Sequence, residues 1–228
     1  MIRSGYFEKG KVLKLCQWVL AVWISSLGGG CERPRSASEG FINPIPEDDF
    51  DYGASIVMAA RSQIGKTTIY DPAYVGLKYP GGDVPIERGV CTDVVIRALR
   101  EGLGFDLQKF VHEDMKQDFN KYPKIWGLSK TDRNIDHRRV PNLRRFFERK
   151  GWSLRLSNKK GNYLYGDLVS CSVGKRPHIM IVSDKKARDG TPLVIHNIGS
   201  GAKEENALFD YPITGHFRIK VEPVASAQ

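Results

Sequence analysis

Arg88-Gly89-Val90-Cys91-Thr92-Asp93-Val94-Val95 is the stretch on which the fold turns. It reads as a loop that delivers a cysteine to the start of a helix. The residues that follow, Val94, Val95, Ile96, Ala98 and Leu99, continue the helix until Gly102, the expected C-terminal glycine. Cys91 stands three and four residues before Val94 and Val95, so it shares their face at the first turn. Unpaired N–H groups and the positive end of the helix favour a thiolate there. A buried structural cysteine is the competing reading, because free cysteine is among the most buried residue types.

Downstream, Leu107, Phe110, Val111 and Met115 form a second helical pattern that stops before Pro123. Residues 124–140 show no period. A connection of that length in a compact domain is usually a lid, a binding loop or an ordered surface loop. Pro141 opens another helix with Leu143, Phe146 and Phe147 inward, closing at Gly151. The texture then changes to strands. Five are expected: Trp152–Leu156, Leu168–Val173, His178–Val182, Leu193–Ile198 and His216–Ile219. Short turns such as Arg188-Asp189-Gly190 suit antiparallel hairpins. Helices first and meandering strands second make an α+β domain, expected over residues 52–222. Upstream of Cys91, Ile56, Ala60 and Ile64 recur every four residues as one more helix, which Gly65 can end. Tyr70 lies in an extended or turning segment.

The first 30 residues read as a targeting segment. Basic residues precede an apolar run, Leu15 to Ile24, and small residues follow. The run is short for a membrane span, so export by a signal peptide is the first reading and an uncleaved anchor the second. Leu27-Gly28-Gly29-Gly30-Cys31 is similar to a lipoprotein cleavage site, with the leucine one residue too far from Cys31. Residues 31–51, rich in Pro, Ser, Glu and Asp, read as a flexible tether. Membrane association is expected only through this segment or a lipid on Cys31.

The 228 residues carry a formal charge of +9 and are 41% hydrophobic, enough for one good-sized core. Without the first 30, 31 basic residues face 25 acidic ones. The excess is spread out, and no zinc spacing, basic zipper or aromatic RNA-binding motif accompanies it, so no nucleic-acid partner is expected. A polyanionic cell-wall substrate suits a mildly basic protein. A chain cleaved before Cys31 holds three cysteines, Cys31, Cys91 and Cys171, an odd number that argues against a disulfide framework. A Cys91–Cys171 bridge competes in an oxidising compartment. Cys171 shares a strand face with Val169 and Val173 and reads as core.

His178 and His196 fall on the two arms of one expected hairpin. If paired residue numbers sum to an even value near 374, the two lie on one side of the sheet; an odd sum separates them. A thiol nucleophile needs a neighbouring base, and the base needs a third polar group to fix its tautomer. Cys91, His178 and His196 supply those roles in that order. Asp93, in the first turn, is expected to pair with Arg88 or to contact substrate; unpaired, it raises the thiol pKa. Tyr70, Trp126 and Asn197 are further candidate substrate contacts, Asn197 also being a weaker orienting group. His112, His137 and His216 make no ligand spacing, and neither metal nor cofactor is expected.

The chain resembles the bacterial NlpC-type cell-wall cysteine peptidases. The matching stretches are Val90-Cys91-Thr92-Asp93, Gly166-Asp167-Leu168-Val169, Pro177-His178-Ile179-Met180-Ile181 and Val194-Ile195-His196-Asn197. More closely, residues 122–128 (Tyr-Pro-Lys-Ile-Trp-Gly-Leu) and 134–143 (Asn-Ile-Asp-His-Arg-Arg-Val-Pro-Asn-Leu) resemble the bacterial family catalogued as domain of unknown function 1287. The NlpC resemblance implies a papain-like fold with Cys91 as nucleophile, His178 as base and His196 as its orienting partner. Val-Cys-Thr-Asp replaces the usual Asp-Cys-Ser-Gly, so peptide specificity does not carry over. The resulting expectation is an exported cysteine hydrolase acting on an amide bond in peptidoglycan peptides or another cell-envelope substrate. A non-catalytic envelope-binding module and a thiol acyltransferase are the alternatives.

Overall fold

The computed structural model describes residues 51–220. The expected signal segment, Cys31 and most of the tether lie outside the described residues.

Helix α1 (Tyr52–Arg61) starts where the Asp51 carboxylate accepts the Ala54 N–H at 2.8 Å, an N-cap. It ends before Ile64, which is exposed. Strand β1 (Ile69–Tyr70) pairs in parallel with β2 (Arg88–Gly89), a two-residue contact that leads the chain into helix α2 (Cys91–Leu103). The nine residues from Cys91 to Leu99 are all buried, so α2 is the central helix and shows no solvent face over that length. Gly102 does not end it. Gly102 packs where a Cβ would stand 2.7 Å from the Ser55 carbonyl of α1, and the left-handed cap falls on Gly104, φ 66°.

Arg97, 1% exposed, holds the loop before Cys91. Its guanidinium donates to Asp83, to the Thr67 hydroxyl and to the carbonyls of Val84 and Arg88. Helices α3 (Leu107–Gln117) and α4 (Val140–Arg149) complete the helical layer, with Pro141 in the first turn of α4.

The sheet is antiparallel throughout. In spatial order it runs β6 (Ala202–Glu205), β5 (Pro192–Asn197), β4 (Arg176–Lys186), β3 (Leu168–Val173), β7 (Ile213–Phe217). The protein is thus α+β, with four helices and a five-stranded sheet among the described residues. The expected strand at Trp152–Leu156 does not form; only Ser153 bridges to Phe217. Trp152 is instead a core residue stacked on Phe147. The unexpected strand, β6, covers the edge of β5. His178 is the third residue of its strand rather than the first.

Both faces of the sheet are covered. Leu168, Ile179, Ile181, Ile195 and Phe217 pack with the helices. Val169, Cys171, Met180, Val182 and Val194 pack with Tyr163, Ala207 and Leu208 on the other side. Fully burying one such aliphatic side chain stabilises by roughly 1.5–3 kcal/mol. Gly166 makes the junction with α1: it has φ 82°, and a Cβ there would stand 2.4 Å from the Gly53 Cα. No helix of the described residues is long and apolar enough to cross a membrane.

Candidate functional site

The site lies where β4 and β5 part. Ile181 pairs with Ile195 and Val182 with Val194, an even-numbered register that puts His178 and His196 on one face. The ladder runs no further than Ile181–Ile195 toward His178. The loop carrying Cys91 approaches there: Asn197 Nδ2 donates to the Gly89 carbonyl at 3.0 Å. Ile179, the residue after His178, packs in one core cluster with Cys91, and the backbone N–H groups of Ile179 and Thr92 favour the Cys91 thiolate.

His178 Nε2 lies 2.8 Å from His196 Nδ1, and His196 Nε2 lies 2.9 Å from Glu205 Oε1. The network assigns the tautomers. A carboxylate only accepts, so His196 Nε2 carries its proton and Nδ1 is bare. His178 Nε2 then donates to it, leaving His178 Nδ1 as the unprotonated ring nitrogen. Burial keeps both rings neutral. It pulls His178 down to about 3, with the neighbouring His196 adding to the effect. It also lowers His196, outweighing the Glu205 hydrogen bond. Burial pushes the Cys91 thiol up to about 12, and the Asp93 charge acts the same way against the two amides. Either charge alone is costly here. Cys91 and Cys171 are both free thiols. Cys171 sits directly across from His178 in the ladder, is 1% exposed and belongs to the core.

Asp93 does not pair with Arg88, which bonds Asp71 instead. It is 2% exposed and takes a two-point ion pair from Arg138, Nε to Oδ1 at 2.8 Å and Nη2 to Oδ2 at 2.9 Å. Its Oδ2 also accepts the Val90 N–H at 2.6 Å. Both oxygens are therefore spent on fixing the start of α2. Asn197 is likewise enclosed, its amide used by Gly89 and Gly199.

Tyr70 and Trp126 line the same cavity as Cys91, about 290 Å³, together with Ile125, Arg138 and Val140. A larger hollow, about 790 Å³, lies between residues 156–158 and 209–213 and contains none of these groups. The 290 Å³ cavity is the one that reaches Cys91.

Residues 124–140 form the cavity's outer wall. The wall is tied down: Tyr74 Oη donates to Asp132, Asn134 accepts the Leu77 N–H, and Arg138 donates to the carbonyls of Asp71 and Ala73. Arg139 lies over the Trp126 ring at 4.2 Å. Glu205 is the site residue that sequence reasoning missed; Lys203-Glu204-Glu205 looks like a solvated turn, and only the pairing of β6 with β5 brings it to His196.

Residues 57–219 match the family model described as Domain of unknown function (DUF1287). The chain belongs to the DUF1287 family. A relative from Escherichia coli (strain K12), described as "Uncharacterized protein YijF", is 56% identical over 169 residues, covering 74% of this chain and 82% of that protein. The matched segment of this DUF1287 chain takes in Cys91, His178, His196 and Glu205.

Proposed function

We propose that this DUF1287 protein is an exported cysteine hydrolase with a papain-like arrangement, cleaving an amide bond in peptidoglycan peptides or another cell-envelope substrate. The observation that carries the reading is the hydrogen-bonded chain His178–His196–Glu205 on strands whose neighbouring residues Ile179 and Asn197 meet the Cys91 segment, Ile179 in one core cluster with the thiol and Asn197 on the Gly89 carbonyl. His178 Nδ1 takes the thiol proton as Sγ bonds to the carbonyl carbon, so the two charges form together and attract each other. The Cys91 N–H, at the first helical position, donates to the developing oxyanion. The imidazolium then protonates the leaving amine as the C–N bond breaks. Water, deprotonated by His178, hydrolyses the thioester and restores the thiol. His196 and Glu205 keep the His178 proton on Nε2.

Digestion of purified cell wall by the native chain and by Cys91→Ala, with products read by mass, tests this. The hydrolase releases fragments that the variant does not; identical product sets remove the reading for that substrate. The second reading, a non-catalytic envelope-binding module, is favoured by the burial of Cys91. It predicts cell-wall binding without cleavage and a thiol inert to iodoacetamide.

A further inference from the structure

We propose that the cavity at Cys91 seats an uncharged, apolar side chain or acyl group on the acyl side of the scissile amide. This rests on the hydrolase reading and specifies its substrate. The walls the thiol shares include Tyr70, Pro72, Val90, Ile125, Trp126 and Val140. The one charged wall residue is Arg138, and its charge is already used. Nε and Nη2 hold the Asp93 carboxylate, Nη2 also reaches the Asp71 carbonyl, and Nη1 donates to the Ala73 carbonyl. A carboxylate or ammonium entering the cavity loses its hydration and finds no opposite charge to replace it, so it is rejected.

Size narrows the class further. At about 290 Å³ the space stands at the low end of small-molecule sites, roughly 300–1,000 Å³. It admits one side chain or a short acyl group and leaves no room for a glycan strand. The mouth is also apolar, with Ile125 69% and Tyr70 39% exposed. Among the described residues, an exposed cation nearby, not paired to a carboxylate as Arg88 is to Asp71, is Arg176, beside the wall residue Pro177 and close enough to act on Tyr70. Free carboxylates of a cell-wall peptide therefore lie outside the cavity, on the Arg176 side.

The test uses the full chain and two peptidyl chloromethyl ketones that differ only in Leu or Asp next to the ketone. Cys91 displaces chloride to form a thioether, located by mass, and each rate is divided by that of iodoacetamide. The expected result is alkylation at least tenfold faster by the Leu reagent, with Ile125→Arg narrowing the gap. Equal rates, or a faster Asp reagent, overturn the apolar assignment and leave the hydrolase reading standing. If neither reagent nor iodoacetamide modifies Cys91 in the folded chain, the hydrolase reading falls and this inference with it.

Discussion

The sheet carries two histidine–carboxylate clusters with opposite endings. In one, His178 leads through His196 to Glu205, whose side chain is 43% exposed, and Ile179, the residue after His178, shares a core cluster with Cys91. In the other, Asp167 is closed in on every side. It takes His216 Nε2 at 2.7 Å, Arg218 Nε at 2.7 Å and the Leu164 N–H. His216 stacks on Tyr163, and its Nδ1 is buried without a partner. The same residue types thus serve different ends. A saturated carboxylate cross-links the end of β7 to the turn before β3, whereas a chain open at Glu205 is the one that moves a proton in the proposed reaction. Residue type does not separate the two clusters; their hydrogen-bond partners do.

Substitution separates the two clusters. His178→Ala is expected to lower the cleavage rate by about 10²–10⁴, the usual worth of a general base, with the fold retained by circular dichroism. His216→Ala should leave the rate per folded molecule within a few fold. A comparable loss from both would erase the distinction.

Asp167→Ala should act on stability. Breaking a buried pair costs about 3–5 kcal/mol, and Arg218, 38% exposed, brings this toward the lower figure. Chemical denaturation measures it, and a change under 1 kcal/mol would count against a structural role. Next in size is the relay: His196→Ala should reduce kcat roughly 10–100-fold and Glu205→Gln less, by analogy with partners that orient a reacting imidazole. An unchanged kcat in both would leave His178 acting alone.

Acid should unfold the two regions in separate windows. His178 and His137 are held neutral, both lowered to about 3 by burial. The unfolded chain binds their protons first, so stability is lost as pH falls from 6.5 toward 3. Burial raises Asp167, but hydrogen bonds from Arg218, His216 and Leu164 outweigh it and hold the carboxyl below its ordinary 3.8. Its contribution is present above 3.8 and lost only below it. Calorimetry from pH 7 to 3 should show Tm falling before the second window is reached; a flat Tm down to pH 4 would contradict the neutral histidines.

The strand relation of the two candidate histidines was readable because local rules govern it. Cys91 precedes a helical run, and strand alternation makes the His178–His196 relation a matter of parity, which Ile181 opposite Ile195 satisfies. What was not readable depends on residues brought together from afar. Nothing near Asp93 points to Arg138, 45 positions on. Glu205 sits in a charged edge strand, where charges also guard against edge pairing. Trp152–Leu156 has a strand's alternation because Trp152 fills the aromatic core beside Phe147, without a continuous partner for its backbone.

Site-resolved thiol alkylation in the native chain and in His178→Ala tests the proton transfer most directly. With iodoacetamide at pH 7, Cys91 should react faster than the sealed Cys171, and His178→Ala should slow Cys91 at least tenfold while leaving Cys171 unchanged. A Cys91 rate that does not depend on His178, or no preference between the two cysteines, would contradict it.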